Sequence, residues 1–395
     1  MNIACIPYHD WRKIEMEGAR TRDSHIISHL TQNSAIENVI VINRPITLTE
    51  LLLKKKNKKI AGERIFKHKN ISLYKITNNL YVIDYFSSDI FGPIIKNKQW
   101  FFDIFSDYKV KEAVEICLEF LNINVDIIYN QNIFASGLVK NLGKPCVFDA
   151  WDNFILFPEN ARFHDSFAAA YQNLSKNAEI WTTNADKNIE YYQRQYSPKK
   201  CMLVKNGVDL DKFRIKYAVP QDLANLKKPI IGFGGKITHL FNEEFFNYAS
   251  EVHSDKTFVI VGQILDKNVF SKIKFPTNVH YLGDKHYSEY PSYVTNFDIG
   301  IIPYVTNHLE HGADSIKMYE YIASGIPVIG TEGAGMSDMG AFIKIATNKE
   351  EFSNYLELTS EKKLQVEFPD FYTWKYKSEQ TLGCFQMLIS DNYKK

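Results

Sequence analysis

Short apolar runs alternate with longer amphipathic segments along almost the whole chain, and nothing else constrains the fold as strongly. Strand-like runs stand at Ile3–Ile6, Val39–Ile42, Leu80–Tyr85, Val125–Tyr129, Pro145–Phe148, Ile180–Thr183 and Cys201–Val204. Others follow at Ile230–Phe233, Thr257–Val261, Val279–Leu282, Ile299–Pro303 and Pro327–Ile329. Helical patterns separate many of them, among them Asp23–Gln32, Val110–Leu121 and Ser315–Ala323. A strand buried on both faces reads as a continuous apolar run, and strand–helix alternation builds βαβ units with a parallel sheet. A domain holds about 150 residues, so a chain of this length with this many runs predicts an α/β protein with two Rossmann-like sheets.

Composition removes several function classes. The 395 residues carry a net charge of +1, which gives no argument for nucleic acid as a partner. The cysteines (Cys5, Cys117, Cys146, Cys201 and Cys384) are odd in number and form no CxxC. That pattern argues against a disulfide framework and a zinc site and fits a reducing cytosol. The apolar start at Ile3–Ile6 turns polar at Tyr8-His9-Asp10, too soon for a signal peptide, and no run approaches the ~18 apolar residues of a membrane span. The expected location is the cytoplasm.

Asn206-Gly207 is a strong turn signal, and the stretch 214–229 before the strand at Ile230 reads as a linker. The expected domains are residues 1–215 and 216–370, with a helix from about residue 371 that Trp374 anchors by apolar burial. Residues 54–69 hold seven lysines and one arginine, which reads as a solvated loop or as a patch for anionic lipid. The aromatic run Trp100–Tyr108 reads as core.

The segment from Glu310 to Thr331 carries the chemistry. Asp314 and Ser315 are good N-caps, apolar residues then recur at helical spacing from Ile316, and Ser324-Gly325 ends the helix before Pro327 opens a strand. Such a helix start offers backbone N–H groups and the positive end of a dipole, an anion site suited to a diphosphate. Lys317 in its first turn adds a full charge. Glu320, one turn on, is placed to accept hydrogen bonds from ribose hydroxyls, as the acidic residue of a dinucleotide fold does.

Lys317, Glu320, Ala323, Gly325, Pro327, Val328 and Ile329 match a K-x-x-E-x-x-A-x-G-x-P-V-I pattern. On this pattern the chain resembles the GT-B glycosyltransferases, and most closely the bacterial enzymes that build teichuronic acid, xanthan, capsular and O-antigen polysaccharides. Further stretches resemble the same family. They are IIGFGGK (230–236), FVIVG (258–262), VHYLG (279–283), FDIGIIPY (297–304), KNGVD (205–209) with Phe213, and FDAWDN (148–153). The resemblance implies a GT-B fold, two Rossmann-like domains with parallel sheets facing a central cleft, the first binding acceptor and the second donor. The tail helix then crosses back to the first domain.

The resemblance also implies a donor site of Gly234, Gly235, Lys236, Gly262, Tyr304, Asp314, Ser315, Ile316, Lys317 and Glu320. The substrates it implies are a nucleotide sugar, with UDP favoured, and a glycan or lipid-linked glycan. Peripheral contact with the inner membrane surface is the expectation that the lysine-rich run 54–69 adds. One position departs from the pattern: many retaining relatives carry E-x7-E ending where Glu320 stands, and the first position here is Gly312, flanked by Glu310 and Asp314.

No DxD motif is suited to a divalent ion, so neither metal nor cofactor is expected. The helix start and lysines supply the positive charge instead. An inverting transfer needs a general base. Asp152 is the first candidate, by resemblance to the xanthan-type carboxylate, then Asp149, then His25. Arg20, Arg22, Asn130 and Asn132 follow strands or open helices where loops line an acceptor site, with Gln131 beside them. Two alternatives share the fold: a nucleotide-sugar epimerase, and a catalytically silent subunit that binds nucleotide sugar. A dinucleotide oxidoreductase is disfavoured, because GFGG lacks G-x-G-x-x-G spacing.

Overall fold

A computed structural model describes residues 1–53, 59–306, 314–333, 335–340, 342–359 and 367–392. The chain forms two compact units, Met1–Lys205 with the segment from Lys377, and Asn206–Tyr376. The division thus falls at Lys205/Asn206 rather than at residues 215/216. Backbone pairing explains the difference: Val208 N–H donates to the Tyr372 carbonyl at 3.0 Å, and Trp374 N–H donates to that of Val208 at 3.2 Å. The Asn206-Gly207-Val208 turn is therefore built into the second unit.

Ten strands are seen among the described residues of the first unit. They are β1 (Asn2–Ile6), β2 (Asn38–Ile42), β3 (Ile46–Thr47), β4 (Glu63–His68), β5 (Ile71–Lys75), β6 (Leu80–Ser87), β7 (Ile127–Asn130), β8 (Cys146–Asp149), β9 (Ile180–Thr183) and β10 (Cys201–Leu203). Their order is β10-β9-β8-β7-β1-β2-β6-β5-β4, with β3 beside β6. Pairing is parallel from β10 to β6, with Ile3 opposite both Val39 and Ile127, and β5 and β4 turn antiparallel at the edge.

That antiparallel ribbon corrects the expectation of a purely parallel sheet. Its outer strand occupies part of the lysine-rich stretch, whose residues 54–58 lie outside the described ones. β4 is largely exposed, and β5, though buried from Ile71 to Tyr74, is interrupted by Ser72, so the ribbon shows no continuous apolar run. The aromatic run packs as expected: Trp100, Phe102 and Phe105 on the helix Lys98–Ser106 are buried, and Phe102 meets Phe134 and Phe167.

The second unit holds β11 (Ile230–Gly234), β12 (Thr257–Val261), β13 (Val279–Tyr281), β14 (Ile299–Ile302), β15 (Val328–Thr331) and β16 (Ile343–Ala346), all parallel in the order β13-β12-β11-β14-β15-β16. Successive side chains of a strand point to opposite faces. Ile231, Phe233, Phe258, Ile260, Ile299 and Ile301 pack on one face with Phe246 and Phe352. Ile230, Val259, Val261, Ile302 and Val328 pack on the other with Met318, Tyr319 and Ile322 of the helix Ile316–Ala323.

The last helix, Trp374–Asn392, starts on the fully buried Trp374. From Lys377 its residues belong to the first unit, where the Phe385 ring lies 5.5 Å from that of Tyr129. No described helix is long and apolar enough to cross a membrane.

Candidate functional site

In an open parallel sheet the ligand crevice lies at the carboxyl ends of the strands, where the strand order reverses. In the second unit that point lies between β11 and β14. Gly234 ends β11 and Gly235 follows it, Tyr304 follows β14, and the helix carrying Lys317 packs beside them. The two glycine turns touch. Gly262 has φ +152°, and a Cβ there would stand 1.8 Å from the Gly235 carbonyl oxygen. Gly235 has φ +146°, and a Cβ there would stand 2.5 Å from Lys317 Cε. Neither turn has room for a side chain, so the backbone itself lines the crevice.

The Lys317 side chain lies across this turn. Its ammonium donates to the Tyr304 hydroxyl and sits 4.8 Å from the Tyr304 ring centroid and 5.3 Å from that of Phe233. Two aromatic faces and a hydroxyl hold the cation at one spot while it stays partly exposed. Lys236 and Ile316 are half-buried beside it. Ser315 is the residue before the helix, and its buried hydroxyl finds no partner among the described residues.

Asp314 does not cap this helix. Its carboxylate accepts from the Asn206 N–H at 2.6 Å and from the Tyr319 hydroxyl at 2.9 Å, so it fastens the Asn-Gly turn to the helix start. Glu310 and Gly312 lie outside the described residues.

Glu320 is 3% exposed and accepts from the Tyr287 hydroxyl at 2.9 Å. Burial pushes its carboxyl up to about 7, against the pull of Tyr287, Lys317 and Tyr290. The two tyrosines were not singled out in the sequence. Their one signal there is a three-residue spacing through Tyr287, Tyr290 and Tyr293.

In the first unit the expected residues cluster at the carboxyl edge of the sheet, but several are engaged structurally. Asp149, expected as a base, is 1% exposed. It accepts from Arg22 Nε and Nη2 at 2.9 Å each, from the Tyr129 hydroxyl at 2.9 Å and from the Thr182 hydroxyl at 2.8 Å. These four bonds fill its lone pairs and make it an anchor. Arg22, expected to meet acceptor, is spent on that anchor and on the Lys205 carbonyl at 3.2 Å.

Arg20 pairs with Glu17 at 2.9 Å. Asn132 caps a short turn by accepting from Phe134 N–H at 3.1 Å and donates to the Pro7 carbonyl at 3.0 Å. His25 is 3% exposed on the helix Arg22–Gln32. Asn130 is fully buried; its carbonyl accepts from Asn132 N–H at 3.0 Å, and its amide nitrogen has no partner among the described residues.

Asp152 remains half-buried, its backbone carbonyl pinned by the Tyr192 hydroxyl at 3.1 Å and the Tyr171 hydroxyl at 3.3 Å.

One arrangement at this edge escaped the sequence reading. His9 follows β1, and its Nδ1 lies 2.9 Å from Asp23 Oδ2. Its only sequence signal is the polar turn that breaks the apolar start. Among the described residues no three His, Cys, Asp or Glu side chains cluster as a metal site requires.

Comparisons with known proteins bear on the fold. No family model matches the chain. It is 29% identical over 146 residues to TuaH of Bacillus subtilis, a protein named for teichuronic acid biosynthesis and glycosyl transfer, and the match spans 36% of this chain and 36% of that relative. The likeness to solved structures covers almost everything. OtsA superposes with a TM-score of 0.68 at 11% identity over 97% of this chain and 98% of that one. The catalytic domain of starch synthase IV from Arabidopsis thaliana, bound to ADP and acarbose, gives 0.65 at 12% identity over 98% and 99%. Anabaena HepE in complex with UDP-glucose gives 0.61 at 13% identity over 99% and 100%. Two units built on Rossmann-like sheets, aligned with these proteins over nearly the whole chain, give this protein the GT-B fold.

Proposed function

We propose that the chain transfers a sugar from a nucleoside diphosphate sugar to a glycan or lipid-linked glycan in the synthesis of a bacterial cell-surface polysaccharide. The second unit takes the donor and the first the acceptor. One observation carries the reading: the Lys317 ammonium is held across the Gly235 turn, at the strand-order reversal and in the first turn of a helix. Backbone amides, a helix dipole and a fixed cation converge there, as a diphosphate leaving group requires. The same groups offset the charge of the departing diphosphate, so the proposed transfer uses no metal. Gly234, Gly235, Lys236, Gly262, Tyr304, Ser315, Ile316 and Lys317 line the phosphate end. Glu320 stands at the ribose end. The UDP-glucose held by HepE favours a UDP-sugar.

Calorimetric titration with UDP, GDP, CMP and NAD, without added metal, tests the donor class. Saturable binding of one nucleoside diphosphate is expected. Lys317→Ala should weaken it about 10–100-fold, since a charge-assisted hydrogen bond contributes roughly 1.5–3 kcal/mol. An unchanged dissociation constant in that variant would remove Lys317 from the phosphate site.

We also infer cytoplasmic location with contact at the inner membrane surface. The lysine-rich stretch 54–69 supports it, as do Phe91 and Ile95, which are 65% and 75% exposed. Basic and apolar groups together suit an anionic lipid surface. Phosphatidylglycerol vesicles should sediment the protein at low salt and release it as salt rises. A protein that stays in the supernatant at low salt has no such contact.

A further inference from the structure

A second recess lies wholly within the second unit, at the amino edge of its sheet. It forms where the chain enters β11, β14 and β15, at the opposite end of those strands from the crevice of Gly235 and Lys317. Its volume is about 540 Å³, the size of a small-molecule site. The lining comes from the segment after Phe213, from the loop before β14 and from the end of the helix Ile316–Ala323.

Arg214, Lys216 and Lys228 share this recess with one carboxylate, that of Asp298. Asp298 is already satisfied: Oδ1 accepts from the Lys228 ammonium at 2.8 Å and Oδ2 from the Ile230 N–H at 2.7 Å. Arg214 and Lys216 pair with no carboxylate among the described residues. Three cations against one carboxylate leave the recess positive. A helix end attracts cations through its orphan carbonyls, but this end is closed. The carbonyls of Glu320, Tyr321 and Ile322 accept from the N–H groups of Ser324, Ile326 and Gly325 at 3.1, 3.0 and 2.9 Å. The two cations thus remain for an anion.

The other walls are polar and aromatic. Asn296 spends its amide nitrogen on the Ser292 carbonyl at 2.7 Å, which leaves its Oδ1 to accept. Tyr217 is half-buried and offers a ring face and a hydroxyl. Acceptors and a ring face beside cations match a sugar that carries a phosphate.

The same walls reach the donor turn. Phe297 lines the recess and lies on β11, so that a Cβ on Gly232 would stand 2.1 Å from its ring. The Tyr321 ring lies 6.4 Å from that of Phe297, and its hydroxyl accepts from the Gly234 N–H at 2.6 Å. The helix Ile316–Ala323 carries Lys317 at one end and the recess wall at the other, about 9 Å along its axis.

We propose that this recess binds a sugar phosphate as an effector. Arg214 and Lys216 hold the phosphate, and occupancy changes the affinity of the donor crevice. The effect on the crevice rests on the donor reading above, whereas binding at Arg214 and Lys216 does not.

Calorimetry on the full chain uses glucose 1-phosphate, ribose 5-phosphate and inorganic phosphate, with no nucleotide present. One sugar phosphate should bind saturably, and more tightly than inorganic phosphate. Arg214→Ser/Lys216→Ser should weaken it about 10-fold or more, because two charge-assisted contacts go. Lys317→Ala, at the far end of the helix, should leave it within about threefold. Both serine replacements are at exposed positions, so the double variant should melt within about 2 °C of wild type. Saturating sugar phosphate should shift the UDP dissociation constant about 5-fold or more, and UDP should shift that of the sugar phosphate by the same factor.

An absence of saturable binding by all three probes, or equal affinity for inorganic phosphate, would overturn the site. Binding that survives in the double variant and disappears in Lys317→Ala would overturn it too, since the anion then sits in the donor crevice. A sugar phosphate that needs Arg214 and Lys216 but leaves the UDP dissociation constant unchanged would overturn the effector role. Failure of the wild type to bind any nucleoside diphosphate would sink the donor reading instead. The titration without nucleotide would still decide the site.

Discussion

Arg22→Ala should destabilise the first unit by about 3–5 kcal/mol, the usual cost of stranding one partner of a buried ion pair. Arg22 supplies two of the four hydrogen bonds on Asp149, and both side chains are at most 3% exposed. Removing the guanidinium leaves a buried carboxylate with only the Tyr129 and Thr182 hydroxyls. In a unit of this size such a loss lowers the melting midpoint by about 10 °C. The double variant Arg22→Met/Asp149→Leu should recover most of it, because a well-packed apolar pair often replaces a buried ion pair at little cost. A single variant that loses less than about 1 kcal/mol would show that Asp149 does not depend on this pair. Asp149 and Arg22 therefore hold this sheet edge in shape.

Glu320 should make the second unit less stable as pH rises. Its carboxyl stands near 7 in the folded chain, against 4.5 for an ordinary glutamate. Below about pH 4.5 it is protonated in both folded and unfolded chains and has no effect on the balance. Between about 4.5 and 7 the unfolded chain gives up its proton and the folded chain keeps it. The folded state then binds more protons than the unfolded one, so stability falls with pH. The loss levels off above pH 7 at about 3 kcal/mol. Urea unfolding at pH 5 and pH 8 measures it. Glu320→Gln keeps an acceptor for Tyr287 without the charge and should flatten the difference. A wild type that is equally stable at both pH values would mean that Glu320 ionises freely. The same burial bears on the proposed donor site: a ribose contact at Glu320 would have to be reached past Tyr287.

The residues of the proposed donor site stand close together along the sequence because its parts are local. Gly234-Gly235, Gly262 and the run from Lys317 to Ile329 each sit within one strand–turn–helix step, so spacing along the chain already fixes which groups share a face. Those of the proposed acceptor site do not. Asp149 and Asp152 lie three residues apart and read alike as cleft aspartates, yet one is locked by Arg22, 127 residues away in sequence, and the other is half-exposed. His9 and Asp23 belong to a strand end and to the following helix region, and no spacing rule pairs them. The tyrosines around Glu320 come from another loop altogether.

The two sheets and most of their strands follow from the local pattern of the chain. Strands buried on both faces need unbroken apolar runs, and crossover helices need amphipathic ones, so both leave a local periodic mark. That pattern did not reveal the ribbon of β4 and β5, whose outer strand is largely exposed and whose buried inner strand is short and interrupted by Ser72. Which polar side chains are spent on holding the fold is set by long-range packing. That depends on strand order, which brings residues far apart in the chain to one sheet edge, where a buried charge must find its partner.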